Sequence, residues 1–267
     1  MLQVKDWAVI VTGSATGIGA AAAVQLAELG ASVVINYTRS ESEAKETQAA
    51  CEALGARTLL CQADVSDDAQ CRRMADEAFE RFGRLDGLLN NAGTTAFANH
   101  ADLEALSADD FRRIYDVNVI GVYQMTRAVA GHLRRDAGGR GMSAGIVNTS
   151  SVAGTMGIGS SIAYAASKGA LNTMTLSLAR ALGPEIRVNT VCPGFVQGRW
   201  LRGGMGDDAY ERQVRAMEET TPLRRAGTPE DMASAAVWLL AGNANMTGQI
   251  VTCDSGTSLG QAPLQRK

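Results

Sequence analysis

Short, nearly unbroken apolar runs alternate along the chain with longer stretches whose apolar positions recur at three- and four-residue spacing. The short runs, at residues 7–12, 32–36, 58–62, 85–90, 146–149, 187–192 and 249–252, read as strands buried on both faces. The periodic stretches, at 18–29, 40–54, 67–82, 109–135, 162–182 and 229–240, read as helices with one face inward. Gly30 and Gly55 close two of them as C-terminal caps. Seven strands alternating with helices predict an α/β architecture, a single doubly wound Rossmann-like domain. Its seven-stranded parallel sheet would be joined by right-handed crossovers and covered by helices on both faces. No linker, internal repeat or low-complexity tract interrupts residues 1–267, which are expected to form one domain.

Composition narrows the class without naming an activity. The 267 residues are 46% hydrophobic and 20% charged, ordinary for a globular chain. A net charge of -3 gives no electrostatic case for nucleic acid or an anionic membrane as partner. The start, Met1-Leu2-Gln3-Val4-Lys5-Asp6, lacks the basic and then apolar regions of a signal peptide. No apolar run approaches the ~20 residues that span a bilayer, so a cytoplasmic location is expected. Five Cys without a Cys-x-x-Cys pair read as small buried hydrophobes. His100 and His132 lie far from any Cys or carboxylate cluster, and no metal site is expected.

The first strand runs into Thr12-Gly13-Ser14-Ala15-Thr16-Gly17-Ile18-Gly19. Gly13 suits a tight turn, Gly17 a backbone that approaches a pyrophosphate, and Gly19 close contact between helix and strand. The following helix N-terminus presents free N–H groups and its dipole to phosphates. At a first strand–helix junction this favours a dinucleotide site over a merely structural turn. The end of the second strand, Asn36-Tyr37-Thr38-Arg39-Ser40, has no acid to accept from a ribose 2′-OH. Arg39 and Ser40 suit a 2′-phosphate instead, which favours NADP(H) and leaves NAD(H) open; Arg39 as a solvated loop cation is the plainer alternative. Asp64, at the end of the third strand, either accepts from an adenine amino group or caps the next helix. Asn90-Asn91-Ala92-Gly93 leaves room for a flat ligand above the sheet, although turn chemistry also explains Asn and Gly there. Asn118 sits inside a helical pattern that does not favour Asn, where it either holds water or kinks the helix.

Ser150-Ser151 ends the fifth strand, and Tyr164 and Lys168 follow four residues apart on a helix, hence on one face. An ammonium beside a phenol favours phenolate and is expected to lower the Tyr pKa. Alone, such a pair more often means a packed ring and a solvated amine.

Taken in order, Thr12 to Gly19, Asp64-Val65, Asn90 to Gly93, Asn118, Ser151, Tyr164-x-x-x-Lys168 and Pro193-Gly194 resemble the short-chain dehydrogenase/reductase family over nearly the whole chain. Within it the chain is most similar to the 3-oxoacyl-acyl-carrier-protein reductase group. The resemblance implies Tyr164 as general acid, Lys168 as its modulator and ribose ligand, Ser151 as the donor to the substrate carbonyl, and Asn118 as holder of a water linked to Lys168. It implies cofactor contacts at Gly13, Ser14, Thr16, Gly17, Ile18, Gly19, Tyr37, Arg39, Ser40, Asp64, Val65, Asn91, Ala92, Gly93, Pro193, Gly194 and Val196. The expected reaction is hydride transfer between a nicotinamide cofactor and a small-molecule carbonyl or secondary alcohol, with a carrier-linked 3-oxoacyl thioester as one candidate. The alternative is a non-catalytic dinucleotide-binding regulator or scaffold on the same fold. Two positions depart from the family pattern: Gly198 stands where Thr is common, and Thr16 where NADP-preferring relatives often have a basic residue. The family also implies a substrate lid at about 197–228 and a homotetramer built on the helices at 109–135 and 162–182. Arg199, Arg202, Arg224 and Arg225 in that segment either suit an anionic or phosphopantetheine-linked substrate or balance Asp207, Asp208, Glu211, Glu218 and Glu219.

Overall fold

Strand β1 (Ala8–Val11) is buried along its whole length, and its side chains alternate between two apolar layers. Val9 and Val11 belong to one core, Ala8 and Ile10 to the other. In this computed structural model, which describes residues 4–136 and 143–260, seven parallel strands share one sheet in the order β3-β2-β1-β4-β5-β6-β7. The remaining strands are β2 (Ser32–Tyr37), β3 (Thr58–Gln62), β4 (Gly87–Asn90), β5 (Ala144–Thr149), β6 (Ile186–Pro193) and β7 (Ile250–Cys253). Helices α1 (Gly17–Glu28), α2 (Glu41–Ala53) and α10 (Pro229–Ala241) contribute to the core on one face. Helices α3 (Asp68–Phe82), α5 (Val122–Asp136) and α7 (Ile162–Leu182) contribute to the core on the other. Residues 1–3, 137–142 and 261–267 of the expected domain lie outside the described residues.

The chain winds outward from β1 to β3 and then returns to place β4 on the other side of β1. That reversal opens a crevice at the C-terminal ends of β1 and β4, the usual ligand position in such sheets. The doubly wound architecture and all seven strands match the expectation, with ends shifted by a residue or two. The predicted helix at 109–135 is instead three segments, α4 (Ala108–Tyr115), a π-helical turn (Asp116–Gly121) and α5. The segment 197–228 carries two helices, α8 (Arg199–Met205) and α9 (Asp207–Thr220). A four-residue helix, α6 (Ala153–Met156), is too short to leave a periodic pattern. No helix among the described residues is long and apolar enough to cross a membrane. Of the five Cys, four are buried and Cys253 is half-buried, and all are free thiols.

Candidate active site

The glycine loop is built by its own sequence. Gly13 and Gly17 adopt φ of 61° and 59°, the left-handed region in which a side chain is strained. A Cβ on Gly13 would lie 2.9 Å from Ala92 Cα, and one on Gly19 would strike the Gly13 carbonyl oxygen. Around Gly17, by contrast, nothing stands within 4 Å of an added Cβ, so the backbone is open to a ligand. The N-cap residue Thr16 makes no side-chain capping bond, which leaves the first N–H groups of α1 and its dipole for an anion.

Ser14 faces the other way. Its buried hydroxyl donates to the Val11 carbonyl at 2.7 Å and accepts from Asn36 N–H at 2.8 Å, so it anchors the loop and does not line the cleft. Asn36 escaped notice in the sequence. Its Oδ1 accepts from Gly13 N–H at 2.9 Å, and its Nδ2 donates to the Ala63 carbonyl at 3.0 Å, tying the glycine loop to the end of β3. The signal was available, since an amide directly after the apolar run Val33-Val34-Ile35 needs buried partners. Asn91 works similarly from β4, donating through Nδ2 to the Thr12 and Gly13 carbonyls at 3.2 and 3.1 Å.

One continuous cleft of about 2270 Å³ runs from this loop across the sheet edge. Gly13, Thr16, Gly17 and Ile18 line it at the loop, and Tyr37, Arg39, Asp64 and Val65 at the ends of β2 and β3. Asn91, Ala92 and Gly93 line its middle, Pro193, Gly194 and Val196 its far wall. Gly19 sits behind the loop and Ser40 at the α2 N-cap, neither of them on the cleft. The Asp64 carboxylate accepts from Ser66 N–H and Oγ at 2.9 and 2.7 Å, and the α3 cap is Asp67, so Asp64 does not cap that helix. Arg39 is exposed and has no ion pair among the described residues, whereas nearby Glu43 binds Arg199 at 2.6 Å. That hydrogen bond holds the Glu43 carboxyl below its usual range. An open helix N-terminus, an approachable glycine backbone and flat walls at the strand ends fit a nicotinamide dinucleotide.

At the other end of the cleft, Ser151, Tyr164 and Lys168 line one wall. Ser161 starts α7 by accepting from Tyr164 N–H at 3.2 Å, and the next turn brings Lys168 onto the same face. Gly154 lets α6 lie against α7, since a Cβ there would sit 2.5 Å from the Lys168 carbonyl carbon. Lys168 Nζ donates to the Thr149 carbonyl at 2.8 Å and lies 5.6 Å from the Tyr164 ring centroid. Ser150 turns away and donates to the Lys168 carbonyl at 3.1 Å. Ser151 Oγ accepts from Ala153 N–H at 3.1 Å and donates to the Pro193 carbonyl at 3.4 Å, close enough to the Tyr164 phenol to favour its ionised form.

The expected lowering of the Tyr164 pKa is not what the pocket produces. Burial pushes the phenol up to about 12, and the neighbouring Ser151 hydroxyl only partly opposes that. Burial also brings the Lys168 ammonium down to about 8. Both residues are under one-tenth exposed, and a dry pocket disfavours phenolate and ammonium alike.

Asn118 is buried behind this wall, in the π-helical turn. Its Oδ1 accepts from Thr94 N–H at 2.8 Å, and its Nδ2 donates to the Thr94 carbonyl at 2.9 Å and to Ser167 Oγ at 3.0 Å. The side chain thus joins the loop after β4 to α7, and the helix changes register where the Asn sits. Gly198, where Thr is common, donates its N–H to the Tyr210 hydroxyl at 3.0 Å.

The chain matches, over residues 13–258, the family model described as enoyl-(acyl carrier protein) reductase. It is 42% identical over 250 residues to a ketoacyl reductase of the granaticin polyketide synthase from Streptomyces violaceoruber, covering 94% of this chain and 95% of that protein. A short-chain dehydrogenase/reductase from Burkholderia xenovorans superposes with a TM-score of 0.88 at 42% identity, over 95% of this chain and 98% of that one. A short-chain dehydrogenase from Burkholderia cenocepacia, crystallised with NADP, superposes with a TM-score of 0.85 at 34% identity, over 96% and 99%. Motif order, sheet topology and these relatives agree: the chain belongs to the short-chain dehydrogenase/reductase family of NAD(P)-dependent oxidoreductases.

Proposed function

We propose that the cleft reduces a small-molecule ketone, or oxidises the corresponding secondary alcohol, with Tyr164, Lys168, Ser151 and Asn118 as the working residues. The observation that carries this reading is the meeting of Ser151, Tyr164 and Lys168 in the same cleft as the glycine loop. A bound nicotinamide supplies the hydride in reduction and takes it back in oxidation. Tyr164, whose phenol burial keeps protonated, donates its proton to the carbonyl oxygen, and Ser151 donates a hydrogen bond where negative charge develops. Lys168 stabilises the phenolate that results and has donors left beyond its bond to Thr149 for the nicotinamide ribose. Asn118 holds α7 in place; both of its Nδ2 hydrogens are engaged, so any water it carries toward Lys168 donates to one of its oxygens, Oδ1 or the backbone carbonyl.

NADP(H) is the favoured cofactor. Arg39 lies on the cleft at the end of β2 without an acid beside it in the Tyr37-Thr38-Arg39 run, and the Burkholderia cenocepacia relative binds NADP. Residues 197–228 act as the substrate lid in this reading, through α8 and α9. A homotetramer fits the half-exposed apolar side chains of Phe111, Ile120 and Tyr123 near α5 and of Leu176 on α7. Initial rates with NADPH and NADH on a panel of ketones test the proposal. NADPH should be preferred by about tenfold, the worth of a charge-assisted hydrogen bond, and Arg39→Ala should remove the preference. Nucleotide binding with no turnover on any carbonyl or alcohol would instead support the non-catalytic scaffold.

A further inference from the structure

The substrate end of the cleft has an aromatic corner. Trp200, the second residue of α8, places its ring centroid 6.0 Å from that of Tyr164, at 57° between planes. Phe97, from the loop after β4, meets the same indole at 6.3 Å and 64°. Both rings line the cleft, and both are unusually open for their size, Trp200 being 49% and Phe97 39% exposed. The corner is tightly built on its far side: a Cβ on Gly204, one turn along α8, would drive into the Phe97 ring. At 6.3 Å the two rings leave no gap for a third between them, so a planar ligand would stack on one and meet the edge of the other.

The charges at this end of the cleft do not favour the obvious competitor. Arg112 pairs with Asp109 at 2.5 Å, Arg113 with Asp110 at 3.2 Å and Arg199 with Glu43 at 2.6 Å. Arg202 pairs with both Asp207 and Glu211 and covers the Tyr210 ring at 4.2 Å. The three arginines that line this end of the cleft, Arg112, Arg113 and Arg199, are therefore each already paired with a carboxylate, and Arg39, unpaired among the described residues, lies at the other, glycine-loop end. A phosphopantetheine-linked thioester brings a phosphodiester past these pairs, and an uncharged ketone does not.

We infer that the substrate is an uncharged, flat, ring-bearing ketone, free rather than carrier-linked, whose ring packs against Trp200 and Phe97 while its carbonyl reaches Tyr164 and Ser151. The inference rests on the carbonyl chemistry proposed above and narrows its substrate class. It also makes Trp200 a specificity residue, which acts on ring recognition and not on proton transfer.

Three probes test it with NADPH: the fused-ring ketone 2-tetralone, the acyclic ketone 2-decanone, and acetoacetyl-acyl carrier protein. Wild type should show its highest kcat/KM on 2-tetralone. Trp200→Ala should raise KM for 2-tetralone about tenfold with kcat nearly kept, consistent with loss of one stacked partner and its apolar contact. It should change 2-decanone by less than about twofold, and Trp200→Phe should restore most of the loss. A best rate on the carrier-linked thioester, or equal losses on 2-tetralone and 2-decanone in Trp200→Ala, would overturn the inference and leave the carbonyl chemistry standing. No turnover on any of the three, with or without Trp200, would overturn both.

Discussion

Lys168 shows what the reaction asks of the fold. An amine that ordinarily titrates at 10.5 is buried until it titrates at about 8, and each pKa unit is worth about 1.4 kcal/mol, so keeping it charged costs about 3 kcal/mol. The unfolded chain holds that proton up to 10.5 and the folded chain releases it at about 8. Between those values the unfolded state binds more protons, so stability rises with pH across that window. Two consequences are measurable in one variant. Thermal melts at pH 7 should show Lys168→Met at least as stable as wild type although its activity is lost, and the stability gain of wild type from pH 8 to 10.5 should be missing in it. A variant that melts well below wild type at pH 7 would mean the ammonium contributes more through Thr149 than it costs by burial. In the active enzyme, reduction should fall as pH rises through about 8, because Lys168 then loses the charge that stabilises phenolate. Tyr164, held near 12, keeps its proton across that range.

At the scale of elements, the helix from α4 to α5 carries two jobs on two faces. Its π-helical turn puts Asn118 inward against Thr94 and Ser167, while Ile120 and Tyr123 stay nearly half exposed on the outside. Large apolar side chains left open along one helix suit an isologous contact with a second copy, in which each appears twice. Sedimentation velocity at micromolar protein should therefore give a four-chain particle, and Ile120→Asp with Tyr123→Asp should reduce it to a smaller one. A wild-type monomer at that concentration would end the tetramer proposal. Helices α8 and α9 and the turn after them show charge used for fastening. Arg202 is consumed by Asp207 and Glu211, and Arg225 binds Asp231, whose carboxyl this pairing pulls down to about 2. Of the arginines left open by the sequence, Arg202 balances two of the acids named with it, while Arg199 and Arg225 pair outside that set, with Glu43 and Asp231.

Across the whole molecule, legibility follows distance along the chain. Strands and helices were readable because burial on both faces of a parallel sheet leaves unbroken apolar runs, and helical faces leave a period. The glycine loop and the Tyr164–Lys168 pair were readable because each is local. What could not be read is made by meetings of distant residues. Asn36 clasps Gly13 and Ala63, Ser14 turns inward to serve it, and Trp200 arrives over Tyr164 from α8, a helix too short to show a period in the sequence. The direction of the Tyr164 shift was missed for the same reason: a neighbouring charge shows in the sequence, and the dryness of the pocket does not. The central claim is that this wall of the cleft delivers a proton to a carbonyl while a nicotinamide delivers hydride. The most direct measurement is the single-turnover rate of NADPH oxidation by 2-tetralone in wild type and Tyr164→Phe, with NADPH affinity measured alongside. Loss of one positioned acid predicts a fall of about 10²–10⁴-fold in rate with affinity nearly unchanged. An undiminished rate in Tyr164→Phe would contradict the account.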